Sequence, residues 1–258
     1  MSKPHIEFDE LQMYFGEPYT VDCEEAIGSI TIYTPSIGDV IKVGQTAFFE
    51  TLSVFVTNPT QNRLPLWEAG IDWNTINDFQ LFCILYKTIN PQVSSLLFGN
   101  LDWTDFELYT KHFSDEEEGE IVLASKHQEI EINENVYNHI HQYLQTMFNI
   151  HPEDELTDGQ TMKELWIHKD RVEREQKKRK SSTNNESSFK SLISACVNHP
   201  GFKYKLKELR EVNIAEFYDS VARLQIYETS TACLKGLYSG FVDGSKIDPE
   251  NYNIFKNM

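Results

Sequence analysis

From Ile214 to Tyr238 the chain carries an apolar or aromatic residue at Ile214, Phe217, Val221, Leu224, Tyr227, Leu234 and Tyr238, with Thr231 completing the row. Steps of three and four residues place all of these on one side of a helix. A single amphipathic helix of this length is predicted, starting at Asn213 or Ile214. It cannot stand alone, because its stripe needs a facing surface. The rest of the chain has to supply that surface.

Several segments qualify. Ser29-Ile30-Thr31-Ile32-Tyr33 is β-branched and alternating, which predicts a strand. The next stretch, YTPSIGDVIKVGQTAFFETL, breaks that strand at Thr34-Pro35-Ser36. It then sets Ile37, Val40 and Ile41 at helical spacing, with Asp39 in the first turn and Gly44 as the stop. Phe48, Phe49, Leu52, Phe55 and Val56 mark a second helix that ends before Asn58-Pro59. Residues 59–71 read as a connecting loop. Asp72 or Asn74 is expected to cap a helix running to about Ile89, and a short helix is expected over Val93–Leu97. From Asp102 to Ile132 the pattern turns β-like, with strands expected at 106–109, 120–123 and 129–132. A helix through Val136, Ile140, Leu144, Met147 and Phe148 follows. After a loop at 151–160, a helix from Gln160 carries Met162, Leu165 and Trp166 and becomes almost wholly charged. The stretch SSTNNESS reads as a linker. Helices are expected at Phe189–Val197 and Lys203–Leu209 before the long one. The expected fold is therefore α+β and predominantly helical. It comprises an N-terminal part, 1–180, of helices with a small antiparallel sheet, a linker over 181–188 and a C-terminal helical domain over 189–258.

The formal net charge of −17 opposes general adhesion to nucleic acid or to anionic membranes. The N-terminus MSKPHIEFDE lacks a charged-then-apolar signal pattern, and no apolar run approaches the ~18 residues of a membrane span. Cys23, Cys83, Cys196 and Cys233 are far apart, so no CxxC pair exists and free thiols in a reducing compartment are expected.

No residue set specifies a reaction. Gly38 and Gly44 lie six apart and leave no clustered amides for a phosphate, so the turn around them is assigned capping and breaking roles. His139 and His141 lie two apart on a helix, point to different sides and cannot share a metal there; one should face the core and the other solvent. The acidic run Asp115–Glu118, with Glu120, lacks the ligand spacing of a divalent-ion loop. Asp102 and Asp105 have no spacing that distinguishes them from surface carboxylates. Lys169–Lys180 (KDRVEREQKKRK) holds seven Lys or Arg against three acids. It suits a solvated helix end first, a protein-binding surface second and a nucleic-acid surface third, since stacking aromatics are missing.

Four pieces carry a resemblance: YTPSIGDVIKVGQTAFF, GIDWNTINDFQLFCIL, SLLFGNLDW, and the stretch from KSLISACVNHPGF to GLYSGFVDG. In this order the chain resembles the tail assembly chaperones of long-tailed phages of Gram-positive hosts, proteins of the tail gene cluster. The resemblance implies a non-enzymatic assembly factor in the host cytoplasm, without catalytic residues, metal or cofactor. It would hold a phage tail protein, either the tape measure or a tube subunit, until the tail forms. Self-association stays open, and neither nucleic acid nor membrane is an expected partner. Partner contacts are expected at Trp73, Phe79 and Phe82 and at Lys177, Lys178, Arg179 and Lys180. A structural tail or baseplate component is the alternative within the same setting. A nucleic-acid-binding protein, or a metal-dependent enzyme using Asp102, Asp105 or His141, is the alternative outside it.

Overall fold

The computed structural model describes residues 5–111, 119–157, 159–181 and 188–240, together with 243, 245 and 248–255. The fold is α+β and mostly helical, with two small antiparallel sheets. In chain order the elements are α1 (Glu10–Tyr14), β1 (Tyr19–Thr20), β2 (Thr31–Ile32), α2 (Ile37–Val43), α3 (Gln45–Val56), α4 (Arg63–Glu68), α5 (Asp78–Leu85), α6 (Pro91–Phe98), β3 (Phe106–Lys111), β4 (Glu120–Ser125), β5 (Glu131–Ile132), α7 (Glu134–Met147), α8 (Gln160–Ser181), α9 (Ser188–Asn198) and α10 (Ile214–Tyr238). Strand β1 pairs with β2, and β3, β4 and β5 pair in sequence order. Among the described residues, no helix is long and apolar enough to cross a membrane.

Local chemistry accounts for most boundaries. Ser36 and Asp39 form a reciprocal capping box at the start of α2, and Asn77 and Gln80 do the same for α5. Asn213 caps α10 by accepting from the Glu216 amide at 2.8 Å. Gly44 has φ +90° at the junction of α2 and α3, and Gly240 has φ +72° just beyond α10.

Other boundaries differ from the sequence expectation. Asp72 caps only a single 3-10 turn, Trp73–Thr75, and α5 starts later, because Asn77 offers the stronger reciprocal cap. The loop expected at 59–71 contains α4. The helix expected over Lys203–Leu209 shrinks to a 3-10 turn at Glu208–Arg210. On α8 the buried residue is Ile167, while Met162 and Leu165 are exposed. Of the linker expected over 181–188, residues 182–187 lie outside the described residues, as do 112–118 with the acidic run Asp115–Glu118.

One hydrophobic core runs through both expected parts. Phe48, Phe55, Phe82, Leu97, Val136, Tyr137 and Leu144 from the N-terminal part join Phe189, Cys196, Leu209, Ile214 and Phe217 from the C-terminal part. The backbone couples them as well. Ile37 N–H donates to Val212 O at 3.0 Å, and Ile214 N–H donates to Pro35 O at 2.9 Å. Gly38 makes this approach possible, since a β-carbon there would sit 2.7 Å from the Arg210 carbonyl oxygen. The turn is thus a close-packing joint as well as a set of caps.

A row of polar residues on α7 finishes α3. Tyr137, His141 and Gln145 are spaced by four and face the C-terminal end of α3. His141 Nδ1 lies 2.7 Å from Phe55 O, and Gln145 Nε2 donates to Val56 O at 2.9 Å. These bonds satisfy carbonyls that a helix end would otherwise leave unpaired. His141 Nε2 also lies 3.3 Å from the buried carboxylate of Asp78. His139 is half-buried rather than solvent-facing, with its Nδ1 3.2 Å from Tyr19 Oη.

Two substitutions test this architecture by urea unfolding. Gly38→Ala forces a β-carbon onto backbone and should cost about 1–3 kcal/mol. Phe82→Ala empties a site 1% exposed and should cost about 3–5 kcal/mol.

Candidate interaction surfaces

Three of the residues expected to touch a partner are core. Trp73, Phe79 and Phe82 are 2%, 3% and 1% exposed. Phe82 stacks on Tyr137 with ring centroids 4.7 Å apart, and Phe79 packs on the same ring at 5.6 Å. Trp73 lies in a satellite cluster with Leu64, Leu66, Leu81 and Ile167. The aromatic periodicity of this region therefore marks packing, and these side chains offer no surface to a partner. Lys177, Lys178 and Arg179 are exposed on α8, as the charge pattern predicts. Lys180 lies on the same helix, and its side chain is outside the described part.

Helix α8 has a clamped base and an exposed arm. At the base, Ile167 enters the satellite core beneath α4. The Arg63 guanidinium grips Asp170 with two bonds, Nε to Oδ2 at 2.6 Å and Nη2 to Oδ1 at 2.7 Å, and reaches Glu155 at 3.3 Å. The planar fork suits this two-pronged geometry. The hydrogen bonds to Asp170 raise the Arg63 pKa further. Trp166 lies between two cations, with Arg63 and Lys169 each 4.5 Å from its ring centre. Lys163 pairs with Asp72. The loop before α8 is stitched down too: Asn58 donates to Glu153 O at 3.0 Å and Asn74 donates to Thr157 O at 2.8 Å. Beyond Asp170 the apolar packing stops, and Arg174 Nη1 pairs with Glu68 Oε2 of α4 at 3.1 Å. Every residue from Arg171 to Arg179 is exposed. A hollow of about 880 Å³ opens between this arm and the body, lined by Lys169, Arg174, Lys177 and Lys178 on one side and by Arg63 and His151 on the other.

The second surface runs along α10. Its first half is core, with Ile214, Phe217 and Val221 buried. The predicted stripe then leaves the core: Tyr227 is 54% exposed, and Leu224 is half-buried. A cleft of about 220 Å³ beside Met13, Met147 and Tyr218 meets a groove of about 520 Å³ beside Phe202, Leu224, Tyr227 and Ile254. Tyr14, Asp219 and Arg223 line both, so the two form one furrow. Its α10 wall spans Ala215 to Tyr227, roughly 18 Å at 1.5 Å per residue. Burial pushes the Tyr218 phenol up to about 12 and raises the Asp219 carboxyl, although Arg223 lies 3.8 Å from it. Lys203, on the rim, sits 4.7 Å from the Tyr204 ring centre, and its Nζ donates to Tyr14 Oη at 3.3 Å. Sequence periodicity missed the furrow because an exposed stripe and a buried one share a spacing. The signal present was tyrosine, an amphipathic residue, replacing aliphatic residues toward the helix end.

The acidic and histidine candidates are not assembled into one site. Asp102 caps a 3-10 turn by accepting from the Thr104 amide at 2.9 Å. Asp105 clasps the turn after β4, accepting from Ser125 Oγ at 2.5 Å and from the His127 amide at 2.9 Å. These bonds hold its pKa down at about 2. His141 finishes α3 in the core. Among the described residues, no group of three or more His, Cys, Asp or Glu is placed to hold a metal ion. The thiols are free, and burial pushes that of Cys83 up to about 12.

A family model described as YomV second domain matches residues 177–256, a match that points to a phage-type protein family. The matched stretch begins in the α8 arm and includes α9, α10 and most of the furrow wall. No curated protein and no solved structure matches the chain.

Replacing Arg63 with Leu leaves Asp170 without its fork and removes one cation from Trp166. The expected cost is about 1–3 kcal/mol, the penalty for a largely buried charge that loses its hydrogen bonds. Thermal melts of the two proteins give that difference.

Proposed function

We propose that the protein is a non-enzymatic phage tail assembly factor. In this reading it acts in the host cytoplasm and holds a tail protein, the tape measure or a tube subunit, before polymerisation. The observation that carries the reading is the furrow on α10. It includes most of the α10 wall inside the segment whose family match points to phage, and it sets Met13, Met147, Phe202, Tyr218, Leu224 and Tyr227 among charged residues. Its length of roughly three helical turns suits one face of an amphipathic helix. Glu10, Lys203 and the Asp219–Arg223 pair on α10 offer both signs of charge to such a helix. A tape-measure segment of mixed charge and heptad-like apolar spacing fits that description.

The test is co-purification of the full chain with the tape-measure and tube proteins of the same phage, at low and high salt. An apolar interface should survive high salt. Leu224→Glu and Tyr227→Glu should each weaken the complex by at least ~30-fold, the effect of losing one anchor worth about 2 kcal/mol. The reading fails if neither tail protein binds. Recovery of the chain as a stoichiometric part of purified virions would assign it to the tail or baseplate structure instead.

A further inference from the structure

Strand β3 forms one edge of the three-stranded sheet. Its register with β4 runs unbroken from Phe106↔Ser125 to Lys111↔Glu120, so no bulge turns it aside. In an antiparallel pair, alternate residues point their backbone groups toward the neighbour and away from it. Lys126 N–H donates to Asp105 O at 3.3 Å, and this sets the phase. Glu107, Tyr109 and Lys111 face β4, whereas Phe106, Leu108 and Thr110 face outward. The outward Phe106 carbonyl accepts from Tyr86 Oη at 3.2 Å. Among the described residues, no bond is made to the outward N–H and C=O groups of Leu108 and Thr110. Every side chain from Glu107 to Lys111 is exposed, Leu108 at 46% and Tyr109 at 48%. Proline, a bulge or a lone charge commonly shields such an edge. Strand β3 has none of these; its two charges are one acid, Glu107, and one base, Lys111.

We propose that β3 pairs antiparallel with β3 of a second copy of this chain, about a two-fold axis at Tyr109. Only outward-facing residues can exchange ladder bonds, so Leu108 has to meet the partner's Thr110, and Thr110 the partner's Leu108. A register centred on Leu108 would need the Phe106 carbonyl, which Tyr86 already holds. One centred on Thr110 would run beyond the described residues. In the register centred on Tyr109, each Glu107 stands opposite the partner's Lys111, and Tyr109 stands opposite its own copy. Glu107 already meets Lys126 at 2.5 Å, and Lys111 meets Glu131 at 2.8 Å. The contact therefore joins these pairs into two rows of alternating sign and buries no lone charge. Exposed ion pairs add little energy. Here they select the register, while the backbone bonds and the Tyr109 pair hold it. A hollow of about 410 Å³ between Leu108 and the Cys83, Ile84, Tyr86 and Lys87 segment leaves room for the incoming strand. Any extended chain could take the backbone bonds, but the match of Glu107 to Lys111 is a property of this strand against itself. The patch is identical on each copy, so the contact is isologous and closes at two. It shares no residue with the furrow on α10 and does not depend on what the furrow binds.

Two copies at −17 repel each other, so the test is run at about 0.15 M salt, where charges are screened over ~8 Å. Sedimentation velocity on the full-length protein, in a series reaching about 1 mM, should show a monomer–dimer equilibrium. The Thr110 N–H faces away from β4, so Thr110→Pro keeps the fold and removes two of the intermolecular bonds. This variant should unfold at the same urea concentration as the wild type and dimerise at least ~10-fold more weakly. Disulfide trapping tests the register separately. Opposed Tyr109 positions would have Cα atoms ~4.5 Å apart, within disulfide reach, whereas the two Leu108 positions lie on a diagonal of about 7–8 Å. In an oxidising buffer, Tyr109→Cys should form linked dimers at least ~10-fold faster than Leu108→Cys, with the wild type as the background from its native thiols. A wild type that stays monomeric throughout the series overturns the proposal. Dimerisation that Thr110→Pro leaves unchanged overturns it too, as do equal trapping rates at the two positions.

Discussion

The architecture depends on a backbone joint between residues 35–37 and residues 212–214. Two main-chain hydrogen bonds, Ile37 N–H to Val212 O and Ile214 N–H to Pro35 O, tie the start of α2 to the start of α10. Each bond adds only about 1 kcal/mol net. Their larger effect is geometric. They fix the direction in which α10 leaves the joint, and so decide that Ile214 and Phe217 enter the core while Tyr227 emerges from it. The furrow, the burial of Phe189 against Phe49 and the seat of α1 on α10 all follow from that direction.

A second constraint is polar. Helix α3 ends inside the protein, where water cannot satisfy its last carbonyls. Tyr137, His141 and Gln145 perform that task from α7, and His141 also meets the carboxylate of Asp78. Buried networks of this kind are unforgiving, since each member left unpaired costs more than the bond it made. The same logic explains Asn58, wholly buried and bonded to the backbone and side chain of residues 153 and 154. Polar stitching, rather than apolar burial, positions the loop that carries α8.

Helix identity was legible in the sequence where an apolar period coincided with a start signal, as with Asp39 in the first turn of α2 and Asn213 before α10. The three-stranded sheet was legible as well, from alternation between turns. The joint was not. Gly38 looks like an ordinary helix residue until Arg210, far away in the chain, is seen to press on it. The interior of the site was misjudged for a related reason. Trp73, Phe79 and Phe82 and the stripe on α10 have the same spacing, and spacing alone cannot tell a buried face from an exposed one. The polar row on α7 follows a four-residue period too, but its partners are backbone carbonyls, which leave no trace in a sequence. Charge was the most transparent signal: Arg171–Arg179 of the basic stretch lies in solvent, as its composition suggests.

The chain is covalently continuous through the α8 arm, yet the two parts it joins are held by a shared core and a backbone joint. The arm therefore carries little of the load that keeps them together. Mechanically the molecule resembles a clasped pair, and the described part of the arm between its halves is exposed. A single cut within the arm would turn an intramolecular association into a two-fragment complex. The halves would lose the high effective concentration that the link confers, but not the surfaces by which they recognise each other.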